Sequence, residues 1–211
     1  MKYIKFFSQI GIDDISLVGG KNASLGEMYS SLTEVDVKVP DGFAAISDAY
    51  WLLLKDNSLK NKIKSNLKNL DMKDIKNLQI IGKKIRALIL NAKLPIEVEN
   101  EIKESYKILS KKYGKKNIDV AVRSSGTAED LPDASFAGQQ DTFLNINTQD
   151  ELIKSVKSCY ASLFNDRAIS YRQSRGYDHL KVALSVGVQK MVRSDKSSSG
   201  IMFTMMREMK L

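Results

Sequence analysis

One arginine, Arg123, stands at the head of the small and polar residues in Val120–Ile146, VAVRSSGTAEDLPDASFAGQQDTFLNI. A guanidinium keeps its charge at any physiological pH and can hold a phosphate through two donors at once. Ser124, Ser125, Gly126 and Thr127 follow it with hydroxyls and N–H groups, and Gly138 leaves room for the backbone to approach a flat or charged ligand. The stretch therefore reads as a phosphate-handling loop between two strands. Glu129, Asp130 and Asp133 could carry a metal, but bracing the loop by turn hydrogen bonds is their first role, because Mg²⁺ sites on nucleotides are usually built from carboxylates on rigid elements. Thr142, two residues past Gln140, shares a strand face with it. A second cation lies about a hundred residues earlier, in Val18-Gly19-Gly20-Lys21-Asn22-Ala23-Ser24-Leu25-Gly26-Glu27-Met28. A glycine turn feeding a helix start offers free N–H groups and the positive end of the helix dipole, and Lys21 adds a mobile charge there. The spacing is not that of a Walker loop, and taken alone the turn is first of all a plain helix entry.

These residues need elements to hold them. Strands are expected at Tyr3–Phe7, after the Pro40-Asp41-Gly42 turn, at Ile118–Val122, at Asp141–Ile146 and at Val182–Val192. The last of these should form a hairpin with Ile201–Thr204 across the polar turn Arg193–Gly200. Apolar residues spaced three and four apart make residues 57–113 helical throughout, with Pro95 opening the last helix and Gly114 closing it. Ser47 or Asp48 should cap a helix over Ala49–Lys55, with Trp51 in the core. Asn165-Asp166 should cap another over Arg167–Ser174, after an amphipathic helix that follows Gln149-Asp150. Cys159 reads as a packed thiol, and His179, the single histidine, as a surface group or one set behind a site. The expected class is α+β, with a helical insertion packed beside a sheet.

Composition narrows the function. The 211 residues contain 43% hydrophobic and 27% charged side chains, ordinary for a globular domain. There is no run of apolar residues long enough to span a bilayer, no secretory leader and one cysteine, so a cytoplasmic protein is the simplest expectation. The net charge of +8 raises nucleic acid as a partner. The lysines, however, crowd into 55–116 as a solvated helix face without interleaved aromatics, and an anionic substrate such as a nucleotide fits the charge equally well.

Val18–Met28, Val39–Phe43, Val120–Ile146, SLFNDRAISYR at 162–172 and Val182–Thr204 together resemble the N-terminal ATP-binding domain of the phosphoenolpyruvate synthase (pyruvate, water dikinase) family. The wider group includes pyruvate, phosphate dikinase and rifampicin phosphotransferase. Arg123-Ser124-Ser125 followed by Ala134-Ser135-Phe136-Ala137-Gly138-Gln139-Gln140 is its specific motif, and SLFNDRAISYR, GYDH and QKMVRSD favour the synthase. The resemblance implies an ATP-grasp-like fold, ATP and Mg²⁺ as cofactors, and a place in gluconeogenesis. It implies transfer of a phosphoryl group from ATP to a histidine on a swivelling domain and then to pyruvate on a barrel domain. By that resemblance Lys21 contacts the ATP phosphates, Arg123 holds them, and Gly138, Thr142 and Gln189 line the nucleotide site. It also implies that the metal ligands, the phosphohistidine and the pyruvate site lie outside this chain. Residues 1–204 then correspond to the N-terminal part of the ATP-binding domain, expected to be inactive alone. Residues 205–211 form an atypical tail that a one-base deletion would explain. A related phosphotransferase with another acceptor, or a nucleotide-binding module without chemistry, are the other readings.

Overall fold

A computed structural model describes residues 1–127 and 141–201. Its described strands are β1 (Ile4–Phe6), β2 (Gly42–Ala45), β3 (Val120–Gly126), β4 (Thr142–Ile146) and β5 (Leu184–Lys190). They form one five-stranded sheet in the order β1-β2-β5-β3-β4, with every neighbouring pair antiparallel. The described helices are α1 (Ile15–Thr33), α2 (Ser47–Asp56), α3 (Leu59–Lys68), α4 (Ile75–Asn91), α5 (Ile96–Lys112), α6 (Gln149–Ser162) and α7 (Asp166–Ser174). The molecule is thus a mixed α/β domain. Among its described residues no helix is long and apolar enough to cross a membrane.

Strand alternation gives the sheet two different faces. Val120 and Val122 of β3, Leu184, Val186 and Val188 of β5, and Phe43 and Ala45 of β2 join the main core. The same core takes Ile81, Ile85 and Ile89 of α4, Val98, Ile102, Tyr106 and Leu109 of α5, and Leu152, Val156, Cys159 and Tyr160 of α6. These are the three- and four-residue steps of buried helix faces, so the helices of the 57–113 region share one core with the sheet rather than forming a satellite. The opposite face carries smaller residues. Ala44 of β2 joins Phe7, Ile10, Val18, Ala23, Leu25 and Ile46 in a second cluster beneath α1.

Local chemistry explains several boundaries. Asp74 caps α4 by accepting from the N–H groups of Lys76 (2.8 Å) and Asn77 (3.1 Å), and Thr148 caps α6 by accepting from Glu151 N–H at 3.2 Å. Gly114, with φ +63°, closes α5 as the Lys115 N–H reaches back to Ser110 O at 3.0 Å. Two expected caps differ. Ser47 and Asp48 lie inside α2, whose entry residue is Ile46, without a side-chain cap. Asn165 enters α7 without capping it, and Asp166 instead receives Arg86 of α4 at 2.8 Å.

The expected hairpin of Val182–Val192 with Ile201–Thr204 is also corrected. β5 is the central strand: β3 pairs with it from Leu184 to Lys190 and β2 from Val186 to Gln189. Both of its edges are taken, which leaves no place for a third partner. Ile201 is in no strand, and residues 202–211, with the tail, lie outside the described residues.

Candidate functional site

The site is built on the small-residue face of the sheet. β3 runs on through Gly126, so Arg123 sits in mid-strand and Ser124, Ser125 and Gly126 are strand residues rather than the start of a loop. The reason is pairing: Ser124, Ser125 and Gly126 oppose Val186, Ser185 and Leu184 of β5. Arg123 itself opposes Gly187 on one side and Thr142 of β4 on the other. Ala121, Arg123 and Ser125 therefore project to the same face as Ser185, Gly187 and Gln189, and Thr142 stands beside Arg123 on that face.

α1 lies across this face and is bent where its sequence requires it. Gly19 has φ +73° and ψ 160°, outside helical geometry, so a fresh helix start follows at Gly20-Lys21-Asn22. A Cβ at Gly19 would lie 2.6 Å from Ser125 O and 2.7 Å from Gly126 O, so only glycine lets the bend sit on β3. The Asn22 N–H donates to Ser125 Oγ at 3.2 Å and its Nδ2 donates to Ser185 Oγ at 3.0 Å. The small residues that the sequence marks as a loop are in part the seat of this helix.

Four of the five predicted site residues thus gather on one side of the sheet. Lys21 is half-buried in the first turn after the bend, and Arg123 is half-buried in β3. Thr142 is exposed in β4 beside it. Gln189 lies on β5, and its Nε2 donates to Pro40 O at 3.1 Å, so in this structure its amide braces the turn before β2. Gly138, with Glu129, Asp130, Asp133 and Gln140, lies outside the described residues.

Sequence reasoning passed over several residues that hold this arrangement. Gly187 interrupts an otherwise unbroken strand pattern, a mark of close backbone approach, and Asn22 is what approaches. Asp41, only 4% exposed, accepts from Gly42 N–H at 2.7 Å and pairs with Lys112, which also donates to Tyr29 OH at 2.9 Å. Those bonds hold the Lys112 ammonium above its usual range and tie α5 and α1 to the turn at Pro40. Lys112 and Asp41 are 71 residues apart, and no sequence signal links them.

Of the two expectations for His179, a surface group or one set behind a site, the first is corrected. It is 7% exposed, and its Nδ1 accepts from Arg172 Nε at 3.0 Å. That fixes the proton of the neutral ring on Nε2, which faces Gln173 Oε1 at 3.1 Å. Burial, then the Arg172 charge, lower its pKa to about 4. Arg172 is fully buried, and burial lowers its own pKa to about 10. Cys159 is buried in the main core, and burial pushes its thiol up, away from reactivity. Trp51 is half-buried against the same core. Among the described residues no three His, Cys, Asp or Glu side chains converge as metal ligands would.

Comparison with known proteins adds the context. The model of the pyruvate phosphate dikinase AMP/ATP-binding domain matches residues 15–210. A phosphoenolpyruvate synthase of Helicobacter pylori is 60% identical over 204 residues, which are 97% of this chain and 25% of that protein. Those of Aquifex aeolicus and Escherichia coli are each 50% identical, over 96% and 95% of this chain and 24% and 25% of theirs. The chain spans about a quarter of the length of these relatives. With the match running across the bent helix, β3 and β5 alike, the chain belongs to the pyruvate phosphate dikinase AMP/ATP-binding domain family.

Proposed function

We propose that this chain is the ATP-binding portion of a phosphoenolpyruvate synthase, with Lys21 and Arg123 gripping the triphosphate. One observation carries the reading most: a lysine in a helix first turn and an arginine in mid-strand, far apart in sequence, stand on one face of the sheet. Two cations and the N–H groups of a helix start offset the charge of a polyphosphate and fix its orientation. Thr142 would add to the wall beside Arg123, and Gly138, outside the described residues, stays a nucleotide-site residue by the family resemblance alone. Gln189 would reach the adenine edge or ribose after giving up its bond to Pro40.

The fold would then be the first part of an ATP-grasp-like domain, within residues 1–204. The complete enzyme would convert ATP, pyruvate and water to AMP, phosphoenolpyruvate and phosphate through a phosphohistidine, in the cytoplasm and in gluconeogenesis. In that reaction the residues of this chain bind and orient ATP; histidine phosphorylation and pyruvate binding would belong to other domains. Mg²⁺ would accompany the nucleotide, but the described residues offer no ligand set for it.

The test is calorimetric titration of the chain with ATP and Mg²⁺, beside Arg123→Ala. Saturable binding that falls at least about tenfold in the variant, at an unchanged melting temperature, is the expected result. Equal affinity in both proteins would overturn the assignment of Arg123.

A further inference from the structure

Asn22 is fully buried, yet its hydrogen bonding is incomplete. Its backbone N–H donates to Ser125 Oγ and its Nδ2 to Ser185 Oγ, while Oδ1 lies against Gly187 with no partner. Turning the amide over would exchange the two ends and still leave one unpartnered at Gly187. A buried amide with an unsatisfied end costs stability that an apolar residue of similar shape would not. Packing alone therefore does not account for an asparagine here.

What the amide does is geometric. Ser125 and Ser185 are register partners on β3 and β5, so Asn22 joins the helix to both strands at one level of the sheet. One step along each strand's face stand Arg123 and Gly187, themselves register partners. Asn22 is bonded into the sheet right beside the arginine, and Lys21 is the next residue in the helix. The bend at Gly19 separates this turn from the preceding helical segment, so its placement depends on contacts with the sheet.

We propose that Asn22 is a positioning residue that holds Lys21 in register with Arg123, so that both cations meet one triphosphate. This rests on the assignment of Lys21 and Arg123 as the phosphate-holding pair. Asn22 touches no phosphate in this account; it acts through where it puts Lys21.

The experiment is a double-mutant cycle read by ATP calorimetry. Lys21→Ala is measured in the parent chain and in an Asn22→Ala/Gly187→Ala background, where the new methyl refills the space the amide leaves. In the parent, Lys21→Ala is expected to weaken ATP about tenfold; in the second background the same change is expected to cost less than about twofold. Equal costs in both backgrounds would overturn the inference while leaving the phosphate role of Lys21 intact. No cost in the parent would overturn the phosphate role itself and the inference with it. Ser185→Ala removes only the acceptor hydroxyl and supplies a milder background with the same expectation, read where its melting temperature matches the parent. A restored Lys21 effect in the refilled variant, but not in Ser185→Ala, would mean that packing alone positions the helix, and would also overturn the inference.

Discussion

Arg123 and His179 show how differently two basic side chains can be used in one small domain. Arg123 stands half-buried in mid-strand on the small-residue face of the sheet, where its planar guanidinium can offer two donors to an anion. Replacing it with lysine preserves charge but removes the planar pair of donors. Arg123→Lys is therefore expected to lose several-fold in ATP affinity, less than Arg123→Ala, in the same titration. His179 is instead closed in against Arg172, a buried cation, with Asp178 as the nearby opposing charge. Its folded-state pKa of about 4 lies below the ordinary 6.5, so the unfolded chain binds the extra proton first. Its contribution to stability is complete above about pH 6.5 and declines as the pH falls toward 4. The melting temperature should fall through that window. His179→Asn, which keeps an acceptor for Arg172 Nε and cannot titrate, should flatten the His179 part of the decline; an unchanged profile would show that other groups cause it.

At the scale of elements, the bend in α1 decides whether the site can form. Gly19 combines a positive φ with carbonyl oxygens where a side chain would begin. Gly19→Ala must adopt a disfavoured backbone conformation and also push the helix off β3. The expected loss is about 1–3 kcal/mol for the backbone alone, read from the urea midpoint, with ATP affinity falling as well. Stability within about 0.5 kcal/mol of the parent would show that the bend can relax without glycine. The turn before β2 is a second such element. Asp41 is held by Gly42 N–H and Lys112, and Pro40 receives Gln189, so this turn links α5 to the central strand.

Across the whole molecule, one core connects the sheet with α2 through α6. The helices of the 57–113 region cannot be lifted away without opening it, because Ile85, Ile102 and Tyr106 pack into the same cluster as Val120 and Val186. Unfolding should accordingly be a single transition, with Trp51 fluorescence and helical circular dichroism following one curve. Ile85→Ala, at a fully buried site on α4, is expected to cost about 2–5 kcal/mol and to move both signals together. Separate curves would show instead that the helical region melts on its own.

The sequence by itself determined the elements and the chemistry available to them. Periodicity marked the helices of 57–113, glycine and capping residues marked several ends, and the types and neighbours of Lys21 and Arg123 marked them as candidate anion-binding groups. These signals are local: they depend on residues within one or two turns of each other. Only the tertiary structure decided that β5 lies in the middle of the sheet, and this removed the expected hairpin by occupying both of its edges. It also showed that Ser124, Ser125 and Gly126 belong to a strand, because their pairing partners lie about sixty residues later in β5. Asn22, Gly187 and the Asp41–Lys112 pair stayed hidden for the same reason. Their meaning lies in contacts between distant segments, and no local spacing records which side chain will rest on which strand.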